Sequence, residues 1–385
     1  MSEFQPAARL RGIEKSLIRQ VFDRARPGSI NLGLGEPDLP TPLVIRQAAT
    51  RVILEEQNGY TTHAGLPALR ERVASDYPYL ESKPERVIIT AGSQEALYLA
   101  LMTLVDKGDE VLLPDPGFVA YPTIVRMAGG VPRFYRMPAA QGFSFDMEEF
   151  RRALTPRTKV VVCISPSNPT GRTLSTEDLR AMSSALEGTG CYVISDEIYR
   201  ELYYTTEKPA TISDFYPRTL VIGGLSKSMS MTGWRVGWLC GDDEVIRSSL
   251  ILHGYVTTCA STISQKAALA AWTVEAEQAR AGFRERFHRR RDYLLALVET
   301  ELGLRGITPD GAFYAMVGIG SELSSIKVAE EMLEHKVITV PGVAFGGEGE
   351  GYLRVSFCAD EDKLALGVER MKRGLESFSA KRRER

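Results

Sequence analysis

Residues that ligate metals or form disulfides are scarce in this 385-residue chain, which has five cysteines and four histidines. The cysteines (163, 191, 240, 259, 358) include no CxxC pair and the histidines (63, 253, 288, 335) no HxxxH spacing, which argues against a disulfide framework and against a protein metal site. Cys163 in KVVVCIS and Cys191 in CYVIS sit in apolar runs, where a small buried hydrophobe is expected rather than a reactive thiolate. No apolar run approaches the roughly 18 residues of a membrane span, and the opening MSEFQPAARLRGIEK has no apolar signal core. A cytoplasmic protein that does not contact membranes is the expectation. An excess of one charge is also missing: 47 basic residues against 49 acidic leave a net charge of −2, too little basic field to attract nucleic acid. With 44% hydrophobic and 25% charged residues, the chain reads as folded and globular. At about 150 residues per domain, its length suits two to three domains, or one large domain with a satellite.

Seven short β-branched runs alternate with helical patterns: RVIITAG, EVLLPDP, VPRFYRM, KVVVCISP, CYVISDE, TLVIGGL and RVGWLCG, with stretches such as QEALYLALMTLV and STEDLRAMSSALEG between them. That alternation predicts an α/β fold with a mostly parallel sheet, in which ligands bind beyond the carboxyl ends of the strands. From about Asp242 to Leu302 strand signals stop and no proline intervenes, so two or more helices are expected, one of them long. The basic run RERFHRRR within it alternates with Glu285 and Phe287 and reads as a solvated helix face. GAFYAMV, VITVPG and GYLRVSFC, with helical segments around them, predict a smaller α+β lobe. The polar tail SAKRRER is expected to fray. GGEGEG reads as a loop, because no strand-to-helix unit flanks it.

Four strand ends carry residues suited to chemistry. In RVIITAGSQEAL a strand turns at Gly92 and Ser93 into a helix whose first free amides, including that of Gln94, suit a phosphate; a plain capping role fits equally well. In GGLSKSMSMTGWR, Lys227 sits in a small-residue turn with Arg235 eight residues on, in a chain holding only 12 lysines among its 47 basic residues. A lysine there can form a Schiff base, and the fixed guanidinium can grip a phosphate. In VISDEIYREL, Asp196 ends an apolar strand, costly to bury unless paired with a cation, and Tyr199 follows. CISPSNPTGR places Asn168 in an Asn-Pro turn at the same rim. Asp196 or Asn168 alone fits a cap or turn, but the set together suits pyridoxal phosphate.

Across nearly its whole length the sequence resembles the class I/II aminotransferases of fold type I, with the family's motifs in order: INLGLGEPDLPTP, GYTTHAGLPALR, TAGSQEAL, PDPGFVAYP, SPSNPTG, SDEIYREL, SKSMSMTGWR, PDGAFYAM and GYLRVSF. The resemblance implies a large cofactor-binding domain over residues 36–285 and a smaller domain made of 1–35 and 286–385. It implies pyridoxal 5′-phosphate as cofactor, held by Lys227, with Asp196 on the ring nitrogen, Tyr199 and Asn168 on the ring oxygen and Phe118 stacked on the ring. Gly92, Ser93, Gln94, Ser226 and Arg235 would surround the phosphate, and Gly224 stands where relatives often carry a phosphate-binding serine. Arg354, assisted by the Gly35 backbone and Asn168, would clamp the substrate α-carboxylate. Tyr60 would reach the phosphate bound by a second subunit, implying a homodimer with shared active sites. Lys227, Asp196 and Tyr199 would act in catalysis.

The activity so implied is a ping-pong transfer of an amino group from an L-amino acid to a 2-oxo acid, with glutamate and 2-oxoglutarate as one pair. A carbon-sulfur β-lyase on the same scaffold would use the same residues, and a silent cofactor-binding regulator belongs to another class. A nicotinamide enzyme is disfavoured because no GxGxxG turn follows a strand. Phe4, Ile13 and Tyr121 are candidate walls of the substrate pocket.

Overall fold

A computed structural model describes residues 4–383. All seven predicted runs are strands of one sheet: β2 (Val87–Thr90), β3 (Glu110–Asp115), β4 (Val131–Arg136), β5 (Thr158–Ile164), β6 (Tyr192–Asp196), β7 (Thr219–Gly224) and β8 (Gly237–Cys240), in the order β2-β8-β7-β6-β5-β3-β4. β3 to β7 run parallel, whereas β8 is antiparallel to both of its neighbours. The Val/Ile-rich centre is buried on both faces, as strands covered by helices on each side must be.

Sheet register gathers the site. Ile164 pairs with Asp196 and Asp196 with Ile222, which sets the carboxyl ends of β5, β6 and β7 level. Because β8 runs the other way it begins at this same rim, where Gly237 pairs with both Gly224 and Thr90. Residues preceding β8, the last residue of β6 and residues following β2, β5 and β7 therefore converge, and Gly92, Asn168, Asp196, Lys227 and Arg235 all belong to that group.

Helices Asp243–Val256, Thr262–Ala268 and Val274–Leu302 fill the strand-free segment. The last runs unbroken through the expected boundary at residues 285 and 286, and ends at Gly303, whose φ of +64° suits a glycine C-cap. RERFHRRR is only partly a solvated face. Phe287 is fully buried, and Arg290 is buried with its guanidinium on Asp38 at 2.7 Å and on the Cys358 carbonyl at 2.8 Å.

A three-stranded antiparallel sheet, β11 (Val340–Pro341), β12 (Tyr352–Ser356) and β9 (Tyr314–Gly318), forms apart from the first. The chain's first strand, β1 (Ile30–Asn31), pairs in parallel with β10 (Val337–Ile338), bringing the N-terminal segment onto this region. Of the tail expected to fray, residues 379–383 instead form the end of helix Glu361–Arg383, anchored by Lys381 on the Glu331 carboxylate at 2.7 Å, and residues 384 and 385 lie outside the described residues. Cys163 and Cys191 are buried, as their surroundings predicted. No helix among the described residues is long and apolar enough to cross a membrane, and those residues hold no cluster of metal-ligating side chains.

Candidate active site

A cavity of about 280 Å³ opens at the rim, lined by Gly35, Ser93, Gln94, Phe118, Asn168, Asp196, Tyr199, Ser226, Lys227, Arg235, Tyr314 and Arg354, with Ile18, Leu34, Ile164, Ile198 and Thr232. All the residues expected around the cofactor and the carboxylate are thus brought together, except Gly92, which lies just behind Ser93, and Tyr60. Tyr60 is 87% exposed and lies outside this cavity.

Lys227 Nζ donates to the Gly35 carbonyl at 2.7 Å. Burial holds its ammonium below the ordinary pKa of 10.5, and the charges of Arg235 and Arg354 push the same way. Asp196 is buried and accepts from Tyr121 Oη at 2.8 Å and from the Ile198 amide at 3.2 Å. Burial raises its pKa to about 6 despite those two donors, and no cation among the described residues forms an ion pair with it. A protonated ring nitrogen is the kind of partner this carboxylate lacks.

On the phosphate side, the helix Ser93–Leu104 starts at Gly92, whose φ of +87° favours glycine. A Cβ there would lie 2.5 Å from Arg235 Nη2, and one on Gly237 would lie 2.6 Å from the Ser93 nitrogen. Both glycines therefore keep the cradle open. The amides of Ser93 and Gln94, in the helix's first turn, have no intrahelical acceptor. Arg235 holds the left-handed conformation (φ +54°) and donates to the carbonyls of Thr232 (3.0 Å) and Ala91 (3.2 Å), so its guanidinium is aimed before any ligand arrives. Orphan helix amides, an aimed guanidinium, a buried carboxylate without a cation and a lysine of lowered pKa are the set of groups that pyridoxal phosphate needs.

Arg354 projects from β12, buried, its guanidinium 4.3 Å from the Tyr314 ring centre and 4.6 Å from that of Phe345. Nη1 donates to Asn168 Oδ1 at 2.8 Å and Nη2 to the carbonyl of Gly33, while buried Nε has no partner. Gly33 is the glycine whose carbonyl meets Arg354, while the carbonyl of Gly35, which lines the same cavity, accepts from Lys227. Gly35 is needed for a different reason: a Cβ there would fall 1.6 Å from Tyr314 Oη.

The expected substrate walls are not found. Tyr121 is fully buried beneath Phe118, the rings meeting edge to face at 5.5 Å, and its hydroxyl serves Asp196. Phe4 is 86% exposed, and Ile18, not Ile13, is the N-terminal side chain lining the cavity. Sequence reading also missed Tyr314, whose hydroxyl meets that of Tyr199 at 2.8 Å. Burial raises the pKa of both phenols, that of Tyr314 to about 12. PDGAFYAM contains Tyr314, but nothing in that string says that its hydroxyl reaches Tyr199.

Comparison with known proteins agrees with this geometry. Residues 27–371 match the family described as aminotransferase class I and II, and the chain belongs to it; its fold is fold type I and its cofactor class is pyridoxal 5′-phosphate. Over 378 residues it is 36% identical to a probable aspartate aminotransferase of Methanocaldococcus jannaschii, covering 94% of this chain and 98% of that protein. It is 38% identical over 355 residues to an aspartate/prephenate aminotransferase of Thermus thermophilus, covering 90% and 91%. The structure of an aspartate aminotransferase from Thermus thermophilus with maleate superposes with a TM-score of 0.91 at 35% identity, covering 97% of this chain and 100% of that one.

Proposed function

We propose that this aminotransferase moves an amino group from an L-amino acid to a 2-oxo acid in two half-reactions, with glutamate and 2-oxoglutarate as one pair. The observation that carries the assignment of roles is the convergence of Lys227 with the buried Asp196 and Arg354 on one cavity beside the Arg235 cradle. Bound pyridoxal 5′-phosphate supplies an electron-withdrawing ring that stabilises negative charge at the substrate α-carbon. Lys227 would hold that group covalently, and its freed Nζ, whose ammonium form burial disfavours, would take and return the proton at Cα. Asp196 would hold the ring nitrogen's proton, Tyr199 and Asn168 would serve the ring oxygen, and Phe118 would cover the ring face. Gly92, Ser93, Gln94, Ser226 and Arg235 would surround the phosphate. Arg354, held by Asn168 and the Gly33 carbonyl, would receive the α-carboxylate as a bidentate pair, with the Gly35 backbone and Asn168 assisting.

The N-terminal segment and residues 286–385 form, on this reading, the lobe that closes on the lobe of 36–285 and excludes water. Tyr60 completes the site of a second subunit in a homodimer; its exposed position outside its own cavity supports that role.

Absorbance spectra of the purified protein, recorded with a panel of single L-amino acids and no oxo acid, test the assignment. A visible-edge band that converts to the shorter-wavelength amine form in the wild type but not in Lys227→Ala supports it. Pyruvate released from cysteine-type substrates with no amine form would replace it with the β-lyase reading. Absence of any band after pyridoxal phosphate is added would overturn both.

A further inference from the structure

We propose that Glu95 is a positioning residue for the phosphate cradle, acting through Ala91 and Arg235 and fixed in turn by His253 and Thr257. This inference rests on the assignment of that cradle to the cofactor phosphate.

Glu95 stands one residue beyond Gln94, in the first turn of helix Ser93–Leu104. Its side chain is only 8% exposed, and three donors converge on its carboxylate. Oε2 accepts the backbone amide of Ala91; Oε1 accepts from Thr257 Oγ1 and meets His253 Nδ1 at 2.9 Å. Burial opposes the charge, yet these bonds hold the carboxyl below the usual carboxylate range. The site therefore contains a fixed anion next to the place proposed for a dianion, an arrangement that costs electrostatic energy and needs a reason.

Ala91 supplies that reason, since it is gripped from both sides. Its N–H is held by Glu95, and its carbonyl accepts from Arg235 Nη2 at 3.2 Å. The next residue is Gly92, whose positive φ turns the chain into the amides of Ser93 and Gln94. Fixing Ala91 thus sets the aim of the two amides and of the guanidinium together. His253 and Thr257 end the helix Asp243–Val256, so they tie this turn to a second rigid element. His253 is fully buried and its Nε2 has no partner, so Nδ1 and its bond to Glu95 make up the whole polar engagement of the ring. A hydrogen-bonded pair with His253 kept only for stability would not need its carboxylate to end on the backbone of the cradle as well.

The test compares dissociation constants for pyridoxal 5′-phosphate and for pyridoxal, which lacks the phosphate, on the cofactor-stripped full chain. Wild type, Glu95→Ala, Glu95→Gln and Arg235→Ala are measured alongside a thermal melt. Glu95→Ala is expected to weaken the phosphorylated form about ten- to a hundredfold, the range for losing a hydrogen bond to a charged group, and to leave pyridoxal unchanged. Glu95→Gln, which can still accept from Ala91, recovers most of the loss. Adding Glu95→Ala to Arg235→Ala then costs less than it does alone. A lowered melting temperature with an unchanged preference for the phosphorylated form would overturn the inference, as would equal weakening of both ligands. If wild type itself shows no preference for the phosphorylated form, the cradle assignment fails instead.

Discussion

Tyr121 Oη donates to Asp196 Oδ2 at 2.8 Å from beneath Phe118, so the carboxylate at the end of β6 is aimed by a phenol that itself lines no part of the cavity. Burial and the nearby carboxylate push the pKa of that phenol well above its ordinary value, so it stays a donor across the working pH range. Tyr121→Phe removes one of the two hydrogen bonds to Asp196 and should cost about 1–3 kcal/mol of stability in the cofactor-free protein, measured by urea titration. It should also raise the Asp196 pKa further, moving the acid limb of the kcat profile upward. A profile identical to wild type would show that the bond does not aim the carboxylate.

Asp196 gives a pH dependence of definite sign. Its pKa rises from an ordinary 3.8 to about 6 in the fold, so between those values the folded state binds more protons than the unfolded chain. The buried carboxyl therefore adds no penalty below about pH 4; stability falls as the pH rises through about 6 and levels off beyond it, by about 3 kcal/mol in all. Cofactor-free Asp196→Asn should escape that fall and exceed wild type in melting temperature at pH 8 but not at pH 4. The same variant, loaded with cofactor, should lose turnover. Parallel stability curves for the two proteins between pH 4 and 8 would contradict this account.

Arg354→Lys keeps the charge and loses the planar fork that bonds Asn168 and the Gly33 carbonyl. KM for amino acid substrates should rise about a hundredfold, near 3 kcal/mol, while the absorbance of the bound cofactor is unaltered. Equal loss of cofactor and substrate binding would place Arg354 in the cofactor site instead.

Gly35→Ala sets a methyl group where Tyr314 Oη stands. The phenol must move, and with it the bond to Tyr199. A loss of about 1–3 kcal/mol in stability is expected, with a shifted cofactor band because Tyr199 is displaced. Tyr314→Phe in the same chain should relieve only part of the strain, since the ring carbon Cζ would still lie 2.6 Å from the new Cβ. Unchanged melting and spectrum would mean the backbone at 35 yields more easily than these distances imply.

Much of this could be read from residue order, because strands and the turns after them are local features. β-branched runs marked all seven strands of the large sheet, and their ends marked Lys227, Asp196, Asn168 and Gly92. The direction of β8 was not legible, so the reason Arg235 joins that rim from the front of its strand emerged only from the pairing of Gly237 with Gly224 and Thr90. Contacts between distant segments were likewise hidden. Tyr121 looked like a pocket wall and is a buried donor, because helix Ala120–Met127 turns that side chain inward. Arg290 sat in a run that looked solvated, and only the approach of Asp38 and of the carbonyl of Cys358 explains its burial. The tail looked too polar to order itself, yet residues 379–383 are helical and Lys381 is held by Glu331, whose nearness no local pattern reveals.

Residues 33 to 35 hold the carbonyl partners of both Arg354 and Lys227, one peptide bond apart from being adjacent. The strand before them, β1, is fastened to β10, next to the small sheet that carries Arg354. A displacement of this three-residue span is therefore transmitted to the proton-transfer amine and to the carboxylate clamp in a single stroke. The two functions share one mechanical lever, so a deletion or insertion between Ile30 and Glu36 should detune them as a pair, where a change at either side chain alone would detune only one.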